Sequence, residues 1–330
     1  MKLASLKGGG RDGRLVVVSR DLSKAVWPPP EFPTLRSAIE DWTAAEPALT
    51  FLSDALNRDE PLAGTFEFDP WSAAAPLPRA FQWCDGSAFL AHGKRMQKAF
   101  SLPPIPDEDT IPLMYQGASD DLIGPRDDIV LPDAAHGIDF EGEFGIIVDD
   151  VPMGCGSGDA ARHIKLIVML NDVSLRTLQP REMRTGFGFI QAKPVTAFAP
   201  VAVTPDELGH AWRGGRVHLD LRVWRNDELF GHPNGGEMSF DFLRLISHLT
   251  VTRRLGAGTV IGSGTISNGS DDVGSACISE RRAIEMLRSG GAVTPYLAFG
   301  ERIRMESFDG FGRSVFGQID QRVVHWDGGG

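Results

Sequence analysis

Glu141-Gly142-Glu143 places two carboxylates at the start of an apolar run, Phe144-Gly145-Ile146-Ile147-Val148. On a strand, residues two apart face the same side, about 6–7 Å apart at Cα. Two inward carboxylates at that spacing repel unless something positive lies between them. A hard divalent cation held by oxygens, Mg2+, Mn2+ or Ca2+, meets that need. The alternative is a solvent-facing strand edge carrying two solvated charges. Asn171-Asp172 closes a second apolar run, Ile164–Leu170, and puts another carboxylate where it can reach a neighbouring strand. An Asx turn or a helix N-cap at Asp172 is the other reading.

Arg176 and Gln179 follow Asp172 by four and seven residues, which brings them to its side if the segment winds as a helix or wide loop. Lys193 lies between apolar residues and Pro194, either as a charge partner or as a snorkelling surface lysine. His92 comes seven residues after Asp85, as a general base or as a structural histidine. The eight histidines show no HxH or HExxH spacing, so a zinc hydrolase has no support. The loop Gly262-Ser263-Gly264-Thr265-Ile266-Ser267-Asn268-Gly269 can present backbone N–H groups to a carboxylate or phosphate. It has neither the phosphate-loop nor the dinucleotide spacing, and the chain carries no GxSxG elbow.

Strands must position these groups. Phe140–Val148 and Ile164–Leu170 are apolar runs of strand length, and Lys2–Leu6 and Arg14–Ser19 flank a glycine-rich turn. Val217–Trp224 alternates, with Asn226-Asp227 as a hairpin turn after it. Glu301–Ser307 and Arg313–Ile319 flank Asp309-Gly310 as a second expected hairpin. Helical patterns cover Thr34–Trp42, Ala45–Asn57, Gly93–Ala99, Ser239–Arg254 and Ser279–Arg288. Strands do not alternate regularly with helices, so a doubly wound parallel sheet is disfavoured and an α+β, mainly β fold of mixed sheets is expected. Residues 1–75 read as a small α+β N-terminal domain and residues 76–330 as the catalytic domain, with the proline-rich stretch Asp69–Pro78 as linker.

The composition is that of a globular protein. A net charge of -11, spread along 330 residues, argues against nucleic acid or an anionic membrane surface as partner. No stretch approaches the ~20 apolar residues of a membrane span. The N-terminus has no apolar signal segment, and Cys84, Cys155 and Cys277 form neither a disulfide framework nor a CxxC pair. A cytoplasmic protein is expected.

An ordered series of motifs joins these groups. Asp85…His92 is followed by Leu113-Met-Tyr115-Gln-Gly-Ala-Ser119, Asp139-Phe-Glu141-Gly-Glu143 and Asn171-Asp172-Val-Ser-Leu-Arg176 with Gln179. Lys193-Pro194, Phe198-Ala-Pro200 and Gly262-Ser-Gly-Thr265-Ile-Ser267 complete it. In this order the series resembles the fumarylacetoacetate hydrolase family from about Pro78 to Arg322, and the leading segment resembles that family's small N-terminal domain.

The resemblance implies mixed sheets rolled around a metal site and a homodimer. Asp85, Glu141, Glu143 and Asp172 match the acidic metal ligands, with Mg2+ the expected ion and Mn2+ or Ca2+ as alternatives. His92 matches the histidine that activates water. Tyr115, Arg176, Gln179, Lys193 and Thr265 match substrate-contacting and charge-stabilising positions. Two positions depart from the pattern. Ser87 stands where the family has a tyrosine, and Glu280 matches the glutamate that orients the histidine only with a one-residue insertion, the ungapped position being Ile278.

The function so implied is metal-dependent hydrolysis of the C–C bond of a 2,4-dioxo acid, a small anionic substrate such as fumarylacetoacetate, fumarylpyruvate or another acylpyruvate. Hydration, decarboxylation, tautomerisation or sugar-acid dehydration on the same metal site are the alternatives. A non-enzymatic metal- or ligand-binding protein is another.

Overall fold

The computed structural model describes residues 1–328. Two sheets frame it. The larger has eleven strands. From one edge its path runs through Phe66–Glu67, Lys24–Val26, Arg14–Val18, Lys2–Leu6 and Ala202–Val203. It continues through Ile164–Asp172, Gly142–Val148, Thr259–Gly262, Gln82–Gly86 and Met114–Gly117, with Thr196–Phe198 paired beside Ile164–Asp172. Thr259–Gly262 and Gln82–Gly86 run parallel, while their neighbours pair antiparallel. The second sheet has five strands, Glu228–Gly231, Arg222–Arg225, Arg302–Glu306, Ile319–His325 and Ile129–Leu131. This is the mixed-sheet architecture the sequence implies.

The N-terminal strands are continuous with the larger sheet, because Lys2 pairs with Val203 and Leu3 with Ala202. Helices Leu35–Glu40 and Trp42–Asn57 cover one sheet face, where Leu35, Ile39, Trp42 and Leu49 join a core with Trp83, Ile147, Val168 and Leu170. Alternate residues of the same strands, Phe144, Ile146, Ile167 and Met169, enter the core on the opposite face. Strands buried on both faces read as continuous apolar runs, which is why Phe144–Val148 and Leu166–Leu170 show no polar alternation. Each fully buried aliphatic side chain contributes about 1.5–3 kcal/mol.

Three expected elements differ. Arg313–Ile319 is not a strand, since Arg302–Glu306 pairs instead with Ile319–His325. The Asp309 carboxylate accepts from the backbone N–H groups of Phe311 and Arg313, and Lys2 Nζ takes the carbonyls of Ser314 and Val315. Those backbone groups are therefore diverted from a ladder. The alternation at Val217–Trp224 persists in burial, with Leu219 and Leu221 inside, but the strand breaks between Val217 and Arg222. Its neighbour there includes Pro233, whose carbonyl accepts from Leu221 and which has no N–H to return. The helix expected over Ser239–Arg254 shrinks to Phe242–Leu249, capped by Asp241 and ended where the buried Thr250 hydroxyl bonds the Ile246 carbonyl.

No helix among the described residues is long and apolar enough to cross a membrane. Cys84, Cys155 and Cys277 are free and buried.

Candidate metal centre

Asp85, Glu141, Glu143 and Asp172 are all buried, and each offers an oxygen within 4.8 Å of the others. Strand register brings them together. Glu143 sits opposite Leu170, two residues before Asp172, while Gly262 lies between Gly145 on one side and Asp85 on the other. Gly262 is required by the close approach: a Cβ there would fall 2.5 Å from Asp85 Oδ1 and 2.9 Å from Glu143 Oε2. Gly264, at φ +75°, turns its N–H onto the same two carboxylates, at 3.1 Å from Asp85 Oδ1 and 3.0 Å from Glu143 Oε2. The residue pair Glu141 and Glu143 faces inward, with Glu141 bridged to Cys277 just before the strand Gly142–Val148 begins.

Positive charge enters from Lys193 and Arg176. Lys193 Nζ lies 2.7 Å from both Glu141 Oε2 and Asp172 Oδ2, and is buried rather than snorkelling. Arg176 Nη2 stands 2.7 Å from Glu141 Oε1, an ion pair without hydrogen-bond alignment. Its Nε donates to Asp139 Oδ2 at 2.8 Å and its Nη1 to Gln179 Oε1 at 3.1 Å. Gln179, which opens the helix Gln179–Thr185, thus stands behind Arg176. Hydroxyl groups further direct the Asp172 and Glu141 carboxylates. Tyr115 Oη donates to Asp172 Oδ2 at 2.6 Å, Thr196 Oγ1 to Asp172 Oδ1 at 2.7 Å, and Ser174 Oγ to Glu141 Oε1 at 3.0 Å. Thr265 is buried in the turn beside Gly264.

Four carboxylates meet two cations here, and Asp139 takes a share of Arg176. The excess of negative charge shows in the proton affinities. Burial first, and Asp172 next, push the Asp85 carboxyl up to about 8. Burial, with Asp85 and Asp172 adding to it, raises Glu143 well above the carboxylate range. Burial acts upward on Glu141 too, but Lys193 and Arg176 outweigh it and hold that carboxyl far below its usual value. Glu143 Oε1 is buried without any hydrogen-bond partner. An all-oxygen donor set, excess negative charge and an orphaned carboxylate oxygen fit a hard divalent cation.

His92 and Glu280 form a second group. His92 lies in the first turn of the helix Leu90–Phe100, and its Nδ1 is 3.8 Å from Glu280 Oε1, beyond hydrogen-bond reach. Glu280 sits in the first turn of Ile278–Ser289, a helix capped by Cys277. Ile278, the ungapped alternative, instead gives its backbone N–H to Asp139. Burial acts to raise Glu280, but His92, Ser267 and Arg95 together hold it below its usual range.

Sequence reasoning passed over Thr196, Ser174, Ser267, Arg95 and the bridging part played by Asp139. Arg95 carried a signal, lying one helical turn after His92. Thr196 carried none, because only pairing with Asp172 across the sheet shows its place.

Residues 82–324 match the family described as fumarylacetoacetate (FAA) hydrolase C-terminal, and residues 1–79 match fumarylacetoacetase N-terminal domain 2. A 2,4-didehydro-3-deoxy-L-rhamnonate hydrolase of Sphingomonas sp. (strain SKA58) is 31% identical over 166 residues, 49% of this chain and 54% of that protein. A mitochondrial oxaloacetate tautomerase of Homo sapiens is 26% identical over 185 residues, 55% of this chain and 54% of that protein. The chain therefore spans little more than half the length of these two relatives. In fold it is similar to the maleylpyruvate hydrolase of Sphingobium sp. SYK-6, solved with manganese(II) and pyruvate, at a TM-score of 0.64 and 19% identity over 98% of this chain and 99% of that one. With a family match that takes in the acidic cluster and the rest of the sheet around it, this chain belongs to the fumarylacetoacetate hydrolase family.

Proposed function

We propose that the chain is a metal-dependent hydrolase that cleaves the C–C bond of a 2,4-dioxo acid of the acylpyruvate or fumarylacetoacetate type, with Mg2+ as its ion. The observation that carries this reading is the His92–Glu280 pair, 3.8 Å apart, with His92 within electrostatic reach of Glu141 in the acidic cluster. Asp85, Glu141, Glu143 and Asp172 would hold the cation. Bound there, a divalent cation supplies Lewis-acid polarisation of substrate oxygens.

The chain's own residues supply the rest. His92 takes a proton from water as the water oxygen attacks the acyl carbonyl, and Glu280 stabilises the imidazolium so formed. The bond between that carbonyl carbon and the neighbouring methylene breaks, and its electron pair leaves as an enolate. Lys193 and Gln179 donate hydrogen bonds to the developing negative charge in a water-poor site. Arg176 and the Thr265 turn bind the substrate carboxylate. A proton from His92 returns to the enolate carbon, giving two acids.

Keto–enol tautomerisation is the second reading. Its support is the tautomerase relative and the absence of a formed hydrogen bond between His92 Nδ1 and Glu280. Fumarylpyruvate, acetylpyruvate and fumarylacetoacetate incubated with EDTA-treated and then Mg2+- or Mn2+-loaded protein separate the two. Metal-dependent recovery of the cleaved acids, abolished in His92→Ala, supports the hydrolase. Loss of enol absorbance with no cleaved product supports the tautomerase.

A further inference from the structure

Arg95 is almost fully enclosed for an arginine, with its side chain 12% exposed, and it spends every N–H it has. Nε donates to Asp271 Oδ1 at 3.1 Å. Nη1 donates to Ser267 Oγ and to Glu280 Oε1, both at 3.0 Å. Nη2 donates to the Gly269 carbonyl at 3.0 Å and again to Asp271 Oδ1 at 2.7 Å. Glu280 Oε1 also accepts from Ser267 Oγ. This is the same oxygen that His92 Nδ1 approaches to 3.8 Å, and that Nδ1 is buried with no hydrogen-bond partner. One carboxylate oxygen thus faces three donors, and Arg95 and Ser267 hold it while His92 waits.

We propose that Arg95 is the positioning residue of the His92–Glu280 pair: its guanidinium fixes the Glu280 carboxylate and supplies the positive charge that this carboxylate would otherwise draw from His92. The inference rests on the hydrolase reading for its kinetic consequence but not for its geometry. Arg95 and His92 share one helix, three residues apart, so both reach across to the helix of Glu280 together. A positive charge 3.0 Å from Glu280 Oε1 compensates that carboxylate before His92 can. An imidazolium beside a compensated carboxylate is less stable than one beside a free carboxylate.

Other charges face the pair and bound the effect. Asp271, whose second oxygen is taken by Arg288, balances part of the Arg95 charge. Glu141 faces His92 from across the site, and Cys277 faces Glu280 from the helix cap, with burial first and Asp139 next keeping that thiol protonated. None of these supplies a second cation to Glu280 Oε1, so the removal of Arg95 is not made good by a neighbour.

The test uses the full chain loaded with Mg2+ and two variants, Arg95→Gln and Arg95→Lys. His92 ring protons are followed by NMR across pH, and dioxo-acid cleavage is followed over the same range. In Arg95→Gln the His92 titration moves up by about one pH unit, and the acidic limb of kcat moves with it. KM and Mg2+ affinity stay near the parent values, and kcat falls by about tenfold on the acidic limb, by less at neutral pH, and recovers as the pH is raised. Arg95→Lys keeps the charge and holds both the resonance and the limb near their original positions. An Arg95→Gln protein whose His92 resonance stays in place, with activity reduced equally at all pH values, overturns the proposal and leaves Arg95 as a brace. A resonance that moves in a protein that cleaves no dioxo acid upholds the positioning and overturns the hydrolase reading instead.

Discussion

Arg176 and Asp139 form a buried pair, 2.8 Å between Nε and Oδ2, and Asp139 carries that contact into the helix that bears Glu280. Its carboxylate also accepts from the backbone N–H groups of Ile278 at 2.7 Å and Ser279 at 2.9 Å, the first two residues of that helix. An acidic group at a helix N-terminus satisfies orphan donors and meets the positive end of the helix dipole. The pair thereby fixes Arg176, which stands beside Glu141, relative to Glu280.

Asp139→Asn puts an amide where three donors converge. Breaking a buried, hydrogen-bonded charge pair costs about 3–5 kcal/mol. Urea unfolding of the metal-loaded variant is expected to show a loss of that size. The slope of the unfolding curve stays unchanged, since the folded core is the same.

Thr196→Val removes the hydroxyl that donates to Asp172 Oδ1 at 2.7 Å without changing the shape of the side chain. Groups that orient a metal ligand are worth about 10–100-fold in metal affinity. Titration of EDTA-stripped protein with Mn2+ is expected to show weakening in that range, with secondary structure by circular dichroism intact.

Metal affinity is expected to rise with pH. Asp85 is pushed up to about 8 from its usual 3.8, by burial and then by Asp172, so near neutral pH the metal-free site holds a proton that the cation must displace. The sign for stability follows from the same shift. The folded carboxyl binds its proton more tightly than the unfolded one, so this group stabilises the metal-free fold fully below 3.8, and that contribution is lost as pH climbs through about 8. The gain in Tm on adding Mn2+ is therefore larger at pH 8.5 than at pH 6. A gain that is flat with pH, alongside Kd values that do not change, would contradict this assignment.

Gly262→Ala introduces a Cβ 2.5 Å from Asp85 Oδ1 and 2.3 Å from Trp83 Cη2. Overpacking of this kind costs about 1–3 kcal/mol. The larger expected effect is on the site, because the two carboxylates on either side must part. Metal titration of the variant is expected to show a drop in affinity out of proportion to its modest loss of Tm.

Much of the acidic cluster was legible because strands buried on both faces leave long apolar runs that set a carboxylate at either end in relief, although a strand edge or an Asx turn accounts for each one taken alone. Glu141, Glu143 and Asp172 stood out in this way. The turn at Asn226-Asp227 was equally plain, since both residues tolerate the left-handed conformations they adopt, at φ 50° and 69°. Arg313–Ile319 misled because its sequence pattern is strand-like, while the groups that divert it, Asp309 and Lys2, act through side chains, one of them from the far end of the chain. Thr196 and Asp139 were hidden for a related reason. Their importance lies in pairing across the sheet and in a cap on a helix far along the chain, neither of which leaves a local mark.

Asp172, Glu143, Gly262, Asp85 and Tyr115 lie on five neighbouring strands of one sheet. Gaining or losing a single residue inside any of these strands would turn its side chains to the opposite face and dismantle the cluster. Evolution can therefore edit the ion-binding frame by substitution but not by insertion. Change by insertion is left to the connecting segments, such as that between Gly186 and Gln191, whose Phe189 ring packs edge-on against Tyr115 at 5.0 Å. The cluster is thus a fixed frame, and the loops at its rim are where the chain can vary in length without disturbing it.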